Sequence, residues 1–181
     1  MDDQNRDQAG CPCHQYGALE LQREAITRRA GEYKKIATRL VVLGKHPDGE
    51  HVLMKCPVCN QCWQRSSAWN WGAKPYLFGV PAIELSDWLE LPFVDPDEVL
   101  IFAASIDRFL TIQKFVASTN SCRKEGCSKH AIKGSVFCLK HHVESLQRIH
   151  TLPQTPSGRW WGPYERFNPD RFDDVLEKQQ P

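Results

Sequence analysis

The feature that most constrains this chain is a cluster of metal-ligand residues in its C-terminal half. The spacing is Cys-x4-Cys-x10-Cys-x2-His, formed by Cys122, Cys127, Cys138 and His141. Two pairs of thiolate or imidazole donors separated by a short loop are the arrangement that a tetrahedral zinc ion needs. Three thiolates and one imidazole fill all four positions, so the pattern predicts a structural site and not a catalytic one. His142 is the competing fourth ligand, because it lies near the same helix face four residues after Cys138.

A second metal site is predicted from cysteines nearer the N-terminus. Residues 56–60, Cys-Pro-Val-Cys-Asn, have the form of a zinc knuckle, in which Asn60 can adopt the left-handed backbone conformation that usually falls to glycine. An isolated Cys-x2-Cys needs a second pair, and the Cys-x2-His of Cys11 and His14 has the matching spacing. The predicted ligands of the second site are Cys11, His14, Cys56 and Cys59. Two alternatives remain open: Cys13 in place of Cys11 or His14, and Cys62 in place of Cys59.

Composition restricts the compartment and the partner class. The 181 residues include 23 Lys and Arg against 22 Asp and Glu, so no global charge indicates a nucleic-acid or membrane partner. The polar start lacks the apolar segment of a signal peptide, and no apolar run approaches the roughly 20 residues of a membrane span. We therefore expect a soluble, cytoplasmic protein with reduced thiols, whose eight cysteines and seven histidines are enough for two structural Zn²⁺ ions.

Apolar periodicity predicts helices joined to a β-hairpin. An amphipathic helix is expected over about 18–40, with its basic residues, Arg29 among them, away from the core. Two apolar runs around the turn His46-Pro-Asp-Gly49 predict a hairpin that ends at Cys56. Asp95, Pro96 and Glu98 form a helix-start signal. Further helices are expected over about 96–117, 136–150 and 169–177.

These elements predict the α+β class: a small zinc-ribbon-like β-hairpin packed with several helices and stabilised by two structural zinc sites. The expected organisation is a helix and hairpin over 1–75, a helical region with the other zinc motif over 76–150, and a linker and short helix over 151–181. We expect the first two regions to share one core. Trp160 and Trp161 either hold the C-terminal segment against the domain or meet a partner.

The segment from Val52 to Trp63, Val-Leu-Met-Lys-Cys-Pro-Val-Cys-Asn-Gln-Cys-Trp, resembles the strand and knuckle of small zinc-ribbon bacterial proteins. Some of those are immunity proteins encoded beside polymorphic toxins. The resemblance covers residues 11–65 and implies a protein that neutralises a cognate toxin by direct binding. The C-terminal motif also resembles compact zinc motifs of bacterial and plant proteins, which supports the metal more than any activity.

An acidic, aromatic segment over 66–107 is a candidate surface for a protein partner. No Lys or Arg occurs between Lys74 and Arg108, and aromatic anchors with complementary charge favour association with a basic protein. The candidate partner-binding residues are Trp69, Trp71, Glu84, Asp87, Trp88 and Glu90. The alternative is that the tryptophans fill a small core.

The motifs favour a binding protein over an enzyme. The sequence has no Gly-rich phosphate loop, no His-Glu-x-x-His and no Gly-x-Ser-x-Gly. Histidines outside the two metal motifs, such as His46 and His51, are expected to be surface or hydrogen-bonding residues. The competing function is zinc-dependent nucleic-acid binding, because the region around the C-terminal metal motif is basic: Arg123, Lys124, Lys129, Lys133, Lys140 and Arg148.

Overall fold

The computed structural model describes residues 11–172, which mix helices with antiparallel β-sheet and so confirm the α+β class. The described residues form two compact units. The first contains 11–100 and 157–161, and the second contains 101–156 and 162–172. Within residues 11–172 no helix is long and apolar enough to cross a membrane.

The first unit is built on a four-stranded antiparallel sheet with the order β1-β2-β3-β4. Helix α1 (Arg23–Ala37) precedes the sheet, and helix α2 (Leu85–Glu90) follows it. The strands are β1 (Val41–Lys45), β2 (Val52–Lys55), β3 (Cys62–Ala68) and β4 (Lys74–Val80). The predicted hairpin is confirmed as β1 and β2, with a register shift between Val42 and Gly44.

Side-chain alternation along the strands divides the core of this unit into two clusters. Leu53, Tyr76 and Phe78 belong to one cluster, which also includes Ile26 of α1 and Trp88 of α2. The other contains Ile36, Val52, Met54, Trp63 and Leu77. Because successive strand residues point to opposite faces, Leu53 lies in one cluster while its neighbours Val52 and Met54 lie in the other.

Helix α1 begins later than the sequence predicted. One of its basic residues, Arg29, also has a different environment from the one predicted. Arg29 is buried, and its Nη1 donates to the Leu77 carbonyl at 3.2 Å. Its guanidinium group lies 5.4 Å from the ring centroid of Tyr16 and 5.9 Å from that of Trp63. The expectation that Arg29 points away from the core is wrong, because its planar cation packs on aromatic rings while reaching a strand carbonyl.

The boundary between the two units differs from the predicted domains. Strand β4 pairs with β3 along its whole length, so a division near residue 75 would cut the sheet. The segment 157–161 also returns to the first unit. The Arg159 amide donates to the Pro92 carbonyl at 2.7 Å, and the Trp161 ring packs edge-on against Phe93 at 5.8 Å between centroids. Trp161 therefore holds this segment against the first unit.

The second unit is small and contains one hairpin and one complete helix. Helix α3 (Pro96–Ile112) begins at the predicted position and continues into this unit. Strands β5 (Ala117–Ser121) and β6 (His130–Ile132) pair antiparallel, and helix α4 (Leu139–Arg148) follows. Asn168 caps a short 3-10 turn, Pro169–Arg171, as its side chain accepts from the Asp170 amide. The rest of the helix predicted to residue 177 lies outside the described residues.

Candidate metal centres

Four thiols from two distant segments meet in the first unit. They come from the short 3-10 turn Pro12–Gln15 with its N-cap, and from the loop between β2 and β3. The Sγ of Cys11 lies 3.3 Å from that of Cys56 and 3.4 Å from that of Cys59. The four sulfur atoms, all within 4.8 Å of one another, belong to Cys11, Cys13, Cys56 and Cys59. Zn–S bonds of about 2.3 Å at tetrahedral angles separate two sulfurs by about 3.8 Å, so this cluster has the dimensions of a four-thiolate metal site.

The loop after β2 turns its backbone amides toward a thiolate, as the knuckle motif predicts. Asn60 has φ 61°, and its N–H donates to the Cys56 carbonyl at 3.0 Å. Burial by itself raises the pKa of the Cys56 thiol. Hydrogen bonds from the backbone N–H groups of Cys59 and Val58, together with those from the Cys11 and Cys59 thiols, outweigh that effect and lower the pKa to about 7. The loop therefore stabilises the thiolate, which is the form of cysteine that binds metal.

Cys13 occupies the position that the sequence analysis gave to His14. The Cys13 thiol belongs to the sulfur cluster, whereas the His14 imidazole places Nδ1 2.8 Å from the Cys11 carbonyl oxygen. Burial and the adjacent thiols raise the pKa of Cys13, so a cation is needed before all four sulfurs can be deprotonated. The described residues also place Cys62 outside the cluster. It begins β3, is buried in the hydrophobic core and points its Sγ toward the Asn60 carbonyl at 3.9 Å.

The second unit brings together three thiols and one imidazole. The predicted residues Cys122, Cys127, Cys138 and His141 have ligand atoms within 4.8 Å of one another. Nδ1 of His141 lies 3.3 Å from the Cys122 sulfur and 3.2 Å from the Cys138 sulfur, while the Cys127 and Cys138 sulfurs are 3.9 Å apart. Zn–N and Zn–S bonds at tetrahedral angles separate nitrogen from sulfur by about 3.6 Å. The set fits one metal ion.

Local backbone structure explains why these four residues converge. Cys122 follows β5, and its N–H donates to the Lys129 carbonyl at 2.9 Å. The turns on each side of β6 need positive φ angles, which Gly126 (75°) and Gly134 (82°) supply. Burial raises the pKa of Cys122, but hydrogen bonds from the backbone N–H groups of Cys138 and Lys124, together with those of the His141 and Cys127 side chains, lower it to about 7. Backbone N–H groups therefore stabilise the Cys122 thiolate, as they do that of Cys56.

The neighbouring imidazole, His142, has a different environment. Its Nδ1 lies 3.3 Å from the hydroxyl oxygen of Ser135, and its ring stacks on Phe109 of α3 at 6.2 Å between centroids. Burial lowers the pKa of His142, which favours a neutral packed ring. His141 points its other nitrogen outward, 3.9 Å from a Glu144 carboxylate oxygen. The structure thus brings His141, and not His142, to the three sulfurs.

A third cluster was not anticipated by the sequence analysis. The turn between β1 and β2 places His46 and His51 around Asp48, in a group whose ligand atoms also lie within 4.8 Å. His51 continues into a buried polar network, with Nε2 3.1 Å from the carboxylate of Asp95. Ser66 donates to the same carboxylate at 2.5 Å. The histidine and aspartate spacing was present in the sequence, but Asp95 is 44 residues away and its approach depends on tertiary folding.

The predicted docking residues separate into exposed and buried groups. Trp88 is fully buried, and its Nε1 donates to Gln64 Oε1 at 2.8 Å, so its assignment to a partner-binding surface is wrong. Trp71 is half-buried and packs against the core, with the Arg23 guanidinium 5.7 Å from its ring. Trp69 is 57% exposed and donates to a Glu50 carboxylate oxygen at 2.9 Å. The three acidic residues, Glu84, Asp87 and Glu90, are exposed.

The two cysteine-rich clusters can each hold a metal ion through four protein ligands. Such closed donor sets stabilise a fold and leave no position for a substrate. Comparisons with protein-family models, with curated proteins and with solved structures give no match to this chain. Function is therefore inferred from the geometry of the chain itself.

Proposed function

We propose that this chain is a zinc-stabilised protein-binding module with two structural zinc ions. The donor sets support zinc, because four-thiolate and three-thiolate, one-imidazole tetrahedra are typical structural zinc sites. The knuckle at Cys56, delivered by a β-hairpin, supports a zinc-ribbon-like arrangement for the first site. Metal binding contributes about 10–16 kcal/mol in zinc-finger peptides, which compensates for the small hydrophobic core of each unit.

A protein-binding role is supported by one exposed tryptophan and by a set of exposed acidic side chains. Trp69 is the exposed tryptophan of the predicted set, and it is held against the Glu50 carboxylate. Glu50 belongs to the turn that follows β1. The same turn lies against α2, because its His46 packs edge-on against Trp88 at 6.0 Å between centroids. We define the acidic face as Trp69, Glu50, Glu84, Asp87 and Glu90. An exposed indole bonded to a carboxylate, together with three exposed acidic side chains at α2, suits a basic protein partner.

The test is affinity capture with a charge-reversal variant. Zinc-loaded protein should retain a partner from native cells after nuclease treatment, and the triple change Glu84→Lys, Asp87→Lys and Glu90→Lys should abolish retention. Trp69→Ala should weaken retention by at least tenfold if the indole is an anchor. The matched control reverses exposed acidic residues away from the acidic face and from both metal centres: Glu20→Lys, Glu24→Lys and Asp107→Lys. Equal loss in both triple variants, or no loss in either, contradicts a specific acidic face.

Within this class, we propose that the partner is a toxin and that the chain is its immunity protein. The support is the resemblance of residues 11–65 to zinc-ribbon immunity proteins, together with a face suited to a basic partner. The captured protein should arrest growth when it is expressed alone, and coexpression of the chain should restore growth. The charge-reversal variant should not restore it. A captured partner that is harmless to the cell would reject the immunity role while leaving protein binding intact.

Nucleic-acid binding is the second candidate, supported by the exposed basic residues around the metal centre of the second unit. Arg123, Lys124, Lys129 and Lys133 are all exposed. Binding through phosphates should weaken steeply as salt rises, with a slope set by the number of contacts. Reversing Lys129 and Lys133 to Glu should reduce that slope by about two if both contact phosphates. Salt-independent binding, or none, rejects this candidate.

A further inference from the structure

The turn between β1 and β2 concentrates metal-ligand atoms at the opposite end of β2 from the Cys56 knuckle. Nδ1 of His46 and Nδ1 of His51 each lie 2.6 Å from the same oxygen, Oδ2 of Asp48. The three side chains are 20%, 19% and 34% exposed, respectively, so an ion can reach them from solvent. Two imidazole nitrogens therefore meet one carboxylate oxygen at a position that solvent can reach.

The turn itself fixes these ligand atoms in place. Oδ1 of Asp48 accepts the backbone N–H groups of Glu50 at 2.8 Å and His51 at 3.0 Å, which directs Oδ2 toward the two imidazoles. The backbone N–H of His46 donates to the His51 carbonyl at 2.9 Å, and the N–H of Gly49 donates to the His46 carbonyl at 3.1 Å. Because the hydrogen-bonded turn holds both histidines, little ordering is needed for them to act together.

The buried Asp95 carboxylate orients the His51 imidazole through its other ring nitrogen, Nε2. Nε2 of His51 lies 3.2 and 3.1 Å from the two carboxylate oxygens of Asp95. Asp95 is only 7% exposed and is held by Ser66 Oγ at 2.5 Å and Gln64 Nε2 at 3.2 Å. A carboxylate bound to the far nitrogen of a histidine is the usual outer partner of a metal-ligating imidazole. Asp95 thus leaves Nδ1 of His51 as the nitrogen available for coordination.

We propose that His46 Nδ1, His51 Nδ1 and Asp48 Oδ2 bind one divalent first-row transition-metal ion, with Asp95 as the positioning residue. Two imidazoles and a carboxylate suit zinc, iron, nickel or copper. Bonds of about 2.0–2.2 Å would separate the ligand atoms by about 3.0 Å at octahedral angles and about 3.4 Å at tetrahedral angles. The two 2.6 Å nitrogen–oxygen distances would therefore lengthen by about 0.4–0.8 Å on binding. Three protein ligands leave a position open for water or a partner's ligand, unlike the two cysteine centres.

The surrounding carboxylates favour a positive charge at this position. Burial alone would lower the pKa of His51, but the carboxylates of Asp95 and Asp48 raise it to about 9, so a metal ion binds here by displacing a proton from His51. Glu98 is within electrostatic range of Asp95, Asp97, Glu50 and His51. Burial and the charges of Asp95 and Asp97 together raise the pKa of the Glu98 carboxyl to about 7. Carboxylates that destabilise one another's ionised forms are stabilised by a nearby divalent cation. The third site is independent of the proposed partner-binding role.

The competing arrangement is a hydrogen-bonded cluster in which a His51 imidazolium bridges Asp48 and Asp95 without any metal. The two arrangements are distinguished by titrating Co²⁺ into protein whose cysteine centres already contain two zinc ions. The proposal predicts one further equivalent of Co²⁺, with weak visible bands and no thiolate-to-cobalt charge-transfer band in the near ultraviolet. Saturation at two metal ions per chain, with no further uptake at millimolar Co²⁺, overturns the proposal.

Variants locate the third equivalent. His46→Phe keeps the aromatic contact with Trp88 and removes one metal ligand. Loss of a residue that only hydrogen-bonds a ligand typically lowers metal affinity by about 10–100-fold, so the loss of the ligand itself should lower Co²⁺ affinity by more than that. Asp95→Asn should lower the affinity by about 10–100-fold while the zinc content stays at two ions, the check on folding. The control His130→Ala, which changes an exposed imidazole of the second unit, should have no effect. Full Co²⁺ binding by His46→Phe would place the ion elsewhere and reject this site.

Discussion

Gln64 should be among the most sensitive polar positions in the first unit. It is fully buried on β3, and its amide joins the strand to α2 and to the segment before α3. Oε1 accepts from Trp88 Nε1 at 2.8 Å and from the Phe93 amide at 2.9 Å, while Nε2 donates to the Phe93 carbonyl at 2.8 Å. Gln64→Leu would leave those three groups buried and unpaired. At about 1–3 kcal/mol for each group, partly relieved by relaxation, the free energy of unfolding should fall by about 3–6 kcal/mol.

Urea unfolding of the zinc-loaded protein measures this loss, with zinc buffered so that metal occupancy stays constant. The midpoint should fall by roughly 1–3 M urea with an unchanged slope. Gln64→Glu keeps the two acceptor contacts but places a carboxylate 3.2 Å from Asp95, so its cost should be larger at neutral pH than in mild acid. The control Gln113→Leu changes an exposed side chain and should stay within about 0.5 kcal/mol of the wild type. A loss below about 1 kcal/mol for Gln64→Leu would refute the orphaned-group argument.

Three further predictions concern the ligand sets and one buried acid. Cys13→Ser should reduce bound zinc from two ions to one per chain by native mass spectrometry, whereas His14→Ala should retain two; the reverse result would restore His14 as the ligand. His141→Ala should likewise lose one ion and His142→Ala none, and equal zinc content in both variants would contradict the assigned nitrogen. Burial and the charge of Asp95 raise the pKa of Asp97 from 3.8 to about 6, so its stabilising contribution is complete below pH 3.8 and is lost as the pH rises through 6. The difference in unfolding free energy between Asp97→Asn and the wild type should therefore rise in favour of the variant by up to about 3 kcal/mol from pH 4 to pH 8. A difference that does not change with pH in denaturation experiments would refute this assignment.

The sequence was most informative where ligands are close along the chain. The C-terminal set needs only turns at Gly126 and Gly134 and the first turn of α4, so its spacing predicts its geometry. The choice between Cys13 and His14 was harder. Adjacent side chains in a short 3-10 turn point in different directions, and the spacing of ligand residues in the sequence does not show which of the two points toward the other thiols. The prediction favoured matched spacing, and the structure places Cys13 with the other sulfurs.

Tertiary pairing decided the features that the sequence left unresolved. Strand β4 contains Pro75 and Gly79, which weaken a strand pattern, yet it pairs with β3 over seven residues because its alternating apolar side chains fill both clusters. Trp88 lies in an acidic helix of six residues, so local composition indicated exposure. In the structure Trp88 is buried, and Gln64, a polar residue distant in sequence, supplies an acceptor for its indole N–H inside the core.

An ion in the first candidate metal centre would explain how a polar N-terminal segment completes a hydrophobic core. Tyr16 follows the turn that carries Cys11 and Cys13, and its ring packs edge-on against Trp63 at 5.9 Å between centroids. The thiols of Cys11 and Cys56 are 45 residues apart in sequence, so an ion bound to both would close a long loop and remove much of the entropic cost of placing Tyr16. Arg29 then packs on both rings from α1. Metal binding and burial of Trp63 should therefore be coupled, because loss of the ion releases the segment that covers this part of the core.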